Sequence, residues 1–198
     1  MVTWLDEVRQ LLAARPAHQL PPGEGLALSA VLVPLYVAQG QLWVLLTRRN
    51  ASLPHHAGQY SFPGGVREPG DADDVATALR ESREELGIDS ATVVVLGRLD
   101  DIRTPTGYQI APVVGAIPYP LSLEPAEEEV EAVVPFPYAY LANPEMVEEQ
   151  EFVVDGRRVT APVFHYRGHR VWGATARMLA DLVERLSGSD LQAVRSGG

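Results

Sequence analysis

At 198 residues the chain is long enough for one domain with a terminal extension and too short for two independent cores. Its composition, 46% hydrophobic and 21% charged with no Cys, supports a globular core and excludes disulfides, zinc-thiolate sites, a cysteine nucleophile and iron–sulfur clusters, which fits a cytoplasmic protein. The formal net charge of −10 disfavours a nucleic-acid or anionic-membrane partner, since both need a basic face.

The opening MVTWLDEVRQ carries Asp6 and Glu7 where an export signal would be basic and then apolar. Trp4, Leu5, Val8, Leu11 and Leu12 recur at helical spacing after a Thr3 cap, predicting a helix over 3–14 that Pro16 follows. This helix packs on the domain or on a second subunit, as in a homodimer, and the sequence does not choose. Pro21, Pro22 and Gly23 form a connector. Ser29 to Val37 and Leu42 to Thr47 read as a hairpin whose first strand carries Pro34 at an edge or bulge. The surrounding apolar run, Ala27 to Ala38, is too short to span a bilayer. Residues 48–65 read as a long loop.

Val75 to Leu86 is a helix capped by Asp73 or Asp74 and stopped by Gly87. Thr92 to Leu96, Ile110 to Ile117 and Val130 to Val134 are strands. Phe152 to Val154 turns at Asp155-Gly156 into Val159 to His165, and Ala174 to Leu186 carries a helical apolar stripe. The expectation is one mixed α/β (α+β) domain over 27–187, preceded by a helix and connector over 1–26 and followed by a flexible tail over 188–198.

The acid is concentrated. Residues 66–85 hold seven acids against three Arg, and residues 104–156 hold ten against none. Either a solvated face or a cation site results. With no Lys anywhere, a Schiff base or a P-loop lysine is excluded. On the 75–86 helix Glu81, Glu84 and Glu85 stand at i, i+3 and i+4, on one face and mutually repelling. Arg80 and Arg83 could compensate them, as could solvent or a divalent cation. Just upstream, Gly64-Gly65 allows a close turn that brings a backbone carbonyl near a ligand. Carboxylates with a carbonyl make a hard oxygen site suited to Mg²⁺ or Mn²⁺.

The stretch from Gly65 to Ile88 resembles the Nudix hydrolase signature, G-x5-E-x7-R-E-U-x-E-E-x-G-U with U aliphatic. Arg80-Glu81, Glu84-Glu85 and Gly87-Ile88 match, with Ser82 at the aliphatic position. The early acid is Asp71 rather than Glu, and eight residues instead of seven separate it from Arg80. Upstream, Leu45-Leu46-Thr47-x-Arg49 followed by Gly58 and Phe62-Pro63-Gly64-Gly65 is similar to the motif of coenzyme A pyrophosphatases, LLTxR[SA]x3Rx3Gx3FPGG. Asn50 stands at its Ser/Ala position and Pro54 at its second Arg. Further similarities lie at Thr104 to Gly115, Glu129 to Pro135 and Val171 to Arg177.

The resemblance implies a Nudix fold, with a mixed sheet between helices. It also implies hydrolysis of coenzyme A or a derivative to 3′,5′-ADP and 4′-phosphopantetheine. A pyrophosphate repels nucleophiles, so the chemistry calls for Mg²⁺ or Mn²⁺ to neutralise charge and to activate water. Glu81 and Glu85 are the expected direct ligands, with Glu84 and the Gly65 carbonyl completing the set. Glu129 or Glu84 is the general base, with Glu128 and Glu131 in reserve, and Arg80 holds a helix carboxylate in place. Arg49 and the Gly64 turn are expected at the substrate phosphates, with Arg48 or His55 taking over the contact that Pro54 cannot make. An ion pair with the acidic loop is the other reading of Arg49, and an ordinary loop position that of His55. Phe164, Tyr166 and Trp172 are core aromatics or an adenine platform. The alternatives to a coenzyme A enzyme are hydrolysis of another nucleotide such as ADP-ribose or NADH, and a silent Nudix-like binding domain.

Overall fold

An apolar run of 12 residues needs a packing layer on each of its faces, and Ala27–Ala38 (β1) has both. The computed structural model describes residues 3–53, 57–154, 156–188 and 191. Among them β1 runs through the middle of a mixed eight-stranded sheet. It pairs in parallel with β7 (Tyr108–Ala116) and antiparallel with β2 (Gln41–Arg49) and β4 (Gly64–Val66). β3 (Tyr60–Ser61) and β8 (Val130–Pro137) join β2, while β5 (Val94–Arg98) and β6 (Ile102–Arg103) join β7. A separate antiparallel sheet holds β9 (Val147–Val154), β10 (Arg157–Tyr166) and β11 (His169–Val171).

Side chains of β1 alternate between two apolar clusters, as strand geometry requires. Ala30, Leu32 and Tyr36 pack with Ala78 and Leu86 of α2 (Asp74–Leu86). Val31, Val33 and Leu35 pack with Val8 and Leu12 of α1 (Trp4–Ala14) and with Met178 and Leu182 of α4 (Gly173–Arg185). The sheet is therefore sandwiched between α2 and the pair α1 and α4. A short helix, α3 (Tyr138–Leu141), follows β8. No described helix is long and apolar enough to cross a membrane.

The N-terminal helix packs on its own domain. Thr3 and Asp6 form a capping box at its start. Leu12 lies so close to Gly97 of β5 that a Cβ there would stand 3.0 Å from its Cδ1. Behind it the fully buried Arg185 side chain donates to Asp100, Asp181 and the Arg15 carbonyl just past the helix.

Two expectations change. Pro34 is not at a sheet edge. It falls in the gap where the antiparallel partner of β1 passes from β4, at residues 29–31, to β2, at 35–38, so no antiparallel neighbour there needs its missing N–H. Residues 48–65 are not one loop, since β3 and β4 lie within them; strands of two and three residues are too short to show a period. Asp155, in the expected second turn, lies outside the described residues.

Leu12→Ala is expected to lower unfolding stability by about 2–5 kcal/mol in urea, the cost of an unfilled core position. An unchanged midpoint would mean that the helix is not docked as described.

Candidate active site

Helix α2 begins where the Asp73 carboxylate accepts the Ala76 N–H at 2.8 Å and ends at Gly87, whose φ of 69° suits glycine. Ser82, in the aliphatic position of the signature, is fully buried and donates its hydroxyl to the Ala78 carbonyl at 2.6 Å. The substitution therefore leaves no unsatisfied polar group in the core.

Two glycines set how closely β4 approaches this helix. A Cβ at Gly65 would lie 2.5 Å from the Glu81 carboxylate, so a larger residue there would push that carboxylate out of its present place. A Cβ at Gly64 would lie 2.4 Å from the Ala30 carbonyl oxygen on β1, and the Gly64 N–H donates to Glu85.

Arg80 joins the pieces. Its guanidinium donates to both oxygens of Asp71 at 3.1 Å, to the Val66 carbonyl at 3.0 Å, and to Glu81 and Glu84 at 2.9 Å each. Asp71 also accepts from the Glu68 N–H and the Thr77 hydroxyl. These bonds, that of Arg80 foremost, hold its carboxyl well below the usual carboxylate range. The early acid of the signature thus anchors Arg80. Glu84 faces outward, its side chain 57% exposed and its carboxylate on Arg80.

Glu85 is the buried carboxylate, only 5% exposed. Burial first, then the charge of Glu129, pushes its carboxyl up to about 8, while Arg49 pulls it down. Glu81 is raised as well. Burial is the largest cause, opposed by Arg80 and reinforced by Glu84 and Glu129. Thus α2, the acidic loop before β8 and the end of β2 bring Glu81, Glu85, Glu129 and Arg49 into one electrostatic neighbourhood. They do not form a closed cage: no group of three or more His, Asp or Glu among the described residues stands at metal-binding distances.

Other expected residues fall outside this patch. Arg48 pairs with Glu131 at 3.3 Å, which ties up one reserve base. His55 and Pro54 lie outside the described residues. Phe164 and Tyr166 are core, whereas Trp172 is 39% exposed, stacked on Phe152 with Arg170 over its ring. A residue that spacing alone passes over is Asn50. Its side-chain amide donates to the Glu127 carbonyl and its N–H to the Glu129 carbonyl, both at 2.8 Å. The one signal pointing to it was its departure from the Ser/Ala of the coenzyme A motif.

Comparison with known proteins shows the family of the chain. The NUDIX domain family model matches residues 26–158. The chain is 35% identical over 173 residues to the uncharacterized Nudix hydrolase NudL of Photorhabdus laumondii, covering 85% of this chain and 92% of that one. It is 39% identical to the NudL of an Escherichia coli strain, covering 78% and 80%. A Nudix hydrolase from M. smegmatis, RenU, aligns in structure with a TM-score of 0.49 and 21% identity, over 58% of this chain and 72% of that one. The chain belongs to the Nudix domain family. It is a Nudix hydrolase, an enzyme of the class that cleaves pyrophosphate linkages.

The ordinary value for Glu85 is 4.5, against about 8 in the fold. Below 4.5 both states hold the proton and there is no penalty. Above it the unfolded chain has lost its proton while the folded one keeps it, so stability falls as pH rises toward 8. In EDTA, Glu85→Gln is expected to remove this part of the decline between pH 5 and pH 8 and to exceed the parent protein at pH 8 by on the order of 1–4 kcal/mol. Parallel melting curves for the two proteins across that range would contradict the assignment.

Proposed function

We propose that the protein hydrolyses the pyrophosphate bond of coenzyme A or a derivative, giving 3′,5′-ADP and 4′-phosphopantetheine, with Mg²⁺ or Mn²⁺ held by Glu81 and Glu85. The observation that carries this reading is the desolvated carboxylate pair. Glu81 and Glu85 are withdrawn from water and face a third charge on Glu129, an arrangement that opposes folding unless a cation offsets it. The donor set is all oxygen, with the Gly65 carbonyl as a further donor, and hard oxygen donors are what these two cations select. Bound there, a divalent cation neutralises the anionic oxygens of the pyrophosphate and lowers the pKa of the attacking water.

The residues of the chain do the rest. Arg80 fixes Glu81 and Glu84 through bonds of 2.9 Å each. Glu129, exposed on its loop, accepts a proton as the water oxygen bonds to one phosphorus of the bridge. The bridging P–O bond breaks, and the departing phosphate keeps the electron pair. Arg49 stands beside Glu85 and is half-buried at the end of β2, which suits its guanidinium to a substrate phosphate.

The coenzyme A assignment draws its support from residues 45–65. The described ones, 45–53 and 57–65, build one wall of the patch: Thr47 on β2 bonds the Ser61 carbonyl of β3 at 3.1 Å, and the Pro63 carbonyl accepts the Leu32 N–H of β1 at 2.9 Å. Arg49 and Gly64-Gly65, which lie in strand β4 and not in the expected turn, are held on that wall. The reading places the enzyme in the cytoplasm, with a small nucleotide as its partner.

Coenzyme A, ADP-ribose and NADH, assayed side by side with and without Mg²⁺, test the proposal. Coenzyme A is expected to be cleaved fastest and only with the metal. Equal rates on all three would remove the coenzyme A claim, and no metal-dependent cleavage of any would favour a binding domain. Glu85→Gln is expected to abolish turnover with the fold retained, and Glu129→Gln to lower kcat roughly 10²–10⁴-fold, the usual worth of a general base. Near-normal turnover of Glu85→Gln in saturating Mg²⁺ would overturn the ligand assignment.

A further inference from the structure

The acidic loop that carries Glu129 is fastened on two sides. On the helix side its backbone hangs from the end of α2, with the Glu124 N–H on the Leu86 carbonyl at 2.8 Å and the Ala126 N–H on the Glu85 carbonyl at 2.9 Å. A tight turn follows, in which the Glu129 and Val130 N–H groups return to the Ala126 carbonyl at 2.9 and 2.8 Å. On the strand side the only described residue bonded to the carbonyls of both Glu127 and Glu129 is Asn50, at 2.8 Å each.

Asn50 is itself held in place. Its Oδ1 accepts the Ser52 N–H at 3.0 Å and the Ser52 hydroxyl at 2.9 Å, which orients the amide so that Nδ2 faces the loop. The pairing of β2 with β8 slips just before it, from Arg48 opposite Ala132 to Arg49 opposite Val130. Such a slip re-aims the chain at a strand end, and here it delivers Asn50 to the base of the loop. Ala has no group for this bond, and Ser has a shorter side chain with no amide.

We infer that Asn50 is a positioning residue for Glu129, clamping the two carbonyls that flank Glu128 so that the Glu129 carboxylate stays over Glu81 and Glu85. This rests on the role proposed above for Glu129. The geometry separates two functions within one residue. The main-chain bond to Glu129 survives any substitution other than proline, whereas the side-chain bond to Glu127 requires the amide. Asn50→Ala and Asn50→Asp should therefore loosen the loop alike, the first by deleting the donor and the second by turning a carboxylate toward a carbonyl oxygen.

The test compares the parent protein with Asn50→Ala, Asn50→Asp, Glu129→Gln and the double variant Asn50→Ala/Glu129→Gln. Mg²⁺-dependent cleavage of coenzyme A and amide hydrogen exchange without added metal are both measured. Each Asn50 variant is expected to lose roughly tenfold to a hundredfold in kcat with KM little changed, as misplacement of a reacting group predicts. Exchange should quicken across residues 126–130 while the amides of β1 and β7 keep their protection. In the Glu129→Gln background Asn50→Ala should cost nothing further, because it acts through Glu129. Additive losses would show that Asn50 acts elsewhere, and unchanged exchange at 126–130 would show that it does not hold the loop. If the parent cleaves nothing with Mg²⁺, the functional reading fails while the exchange measurement still decides whether the clamp exists.

Discussion

One guanidinium gathers most of the site. Arg80 bonds a loop carboxylate, a strand carbonyl and two helix carboxylates at once, so α2, β4 and the turn at Asp71 are set relative to each other by a single planar group. A Lys at this point could supply the charge but not the fork that reaches four partners. The arrangement also sorts the acids. Asp71 and Glu84 are committed to Arg80, Glu81 shares it, and among the described residues Glu85 has the Gly64 N–H and the nearby charge of Arg49 to offset its burial.

That sorting is what makes the patch chemically useful. An isolated buried carboxylate neutralises itself by holding a proton, and the displaced titration of Glu85 is this response. On the proposed reading a divalent cation would offer the same relief without the proton, and the energy that burial costs the fold would become affinity for metal. The apolar construction of β1 stands behind this. Both its faces are covered, and it pairs with β4 on one side while its even-numbered face packs α2, the helix that carries Glu85.

The helix and the placement of its carboxylates were largely legible in the sequence because they depend on local spacing. The Asp73 cap, the Gly87 stop and the shared face of Glu81 and Glu85 follow from a period of 3.6 residues and from cap preferences, and the resemblance to the Nudix signature pointed to the same stretch. What stayed hidden depends on partners far along the chain. The sequence marks Asp71 as the early acid of the signature, and its bonds to Arg80 and Thr77 show it as an anchor. Asn50 meets Glu127 across 77 residues, a contact that no periodicity encodes. β3 and β4 are strands only because β2 and β1 pair with them, and Pro34 is harmless only because of where those partners change. Trp172 reads as core by its place before an apolar helix, yet it lies on the surface beside Phe152.

The proposed chemistry of the site requires that a cation join Glu81 and Glu85. Electron paramagnetic resonance of Mn²⁺ titrated into the protein, with no nucleotide present, measures this directly. The parent protein should remove free Mn²⁺ signal saturably, and Glu81→Gln/Glu85→Gln should leave the ion free while melting cooperatively. Saturable Mn²⁺ binding of equal strength in both proteins, or none in the parent, would contradict it.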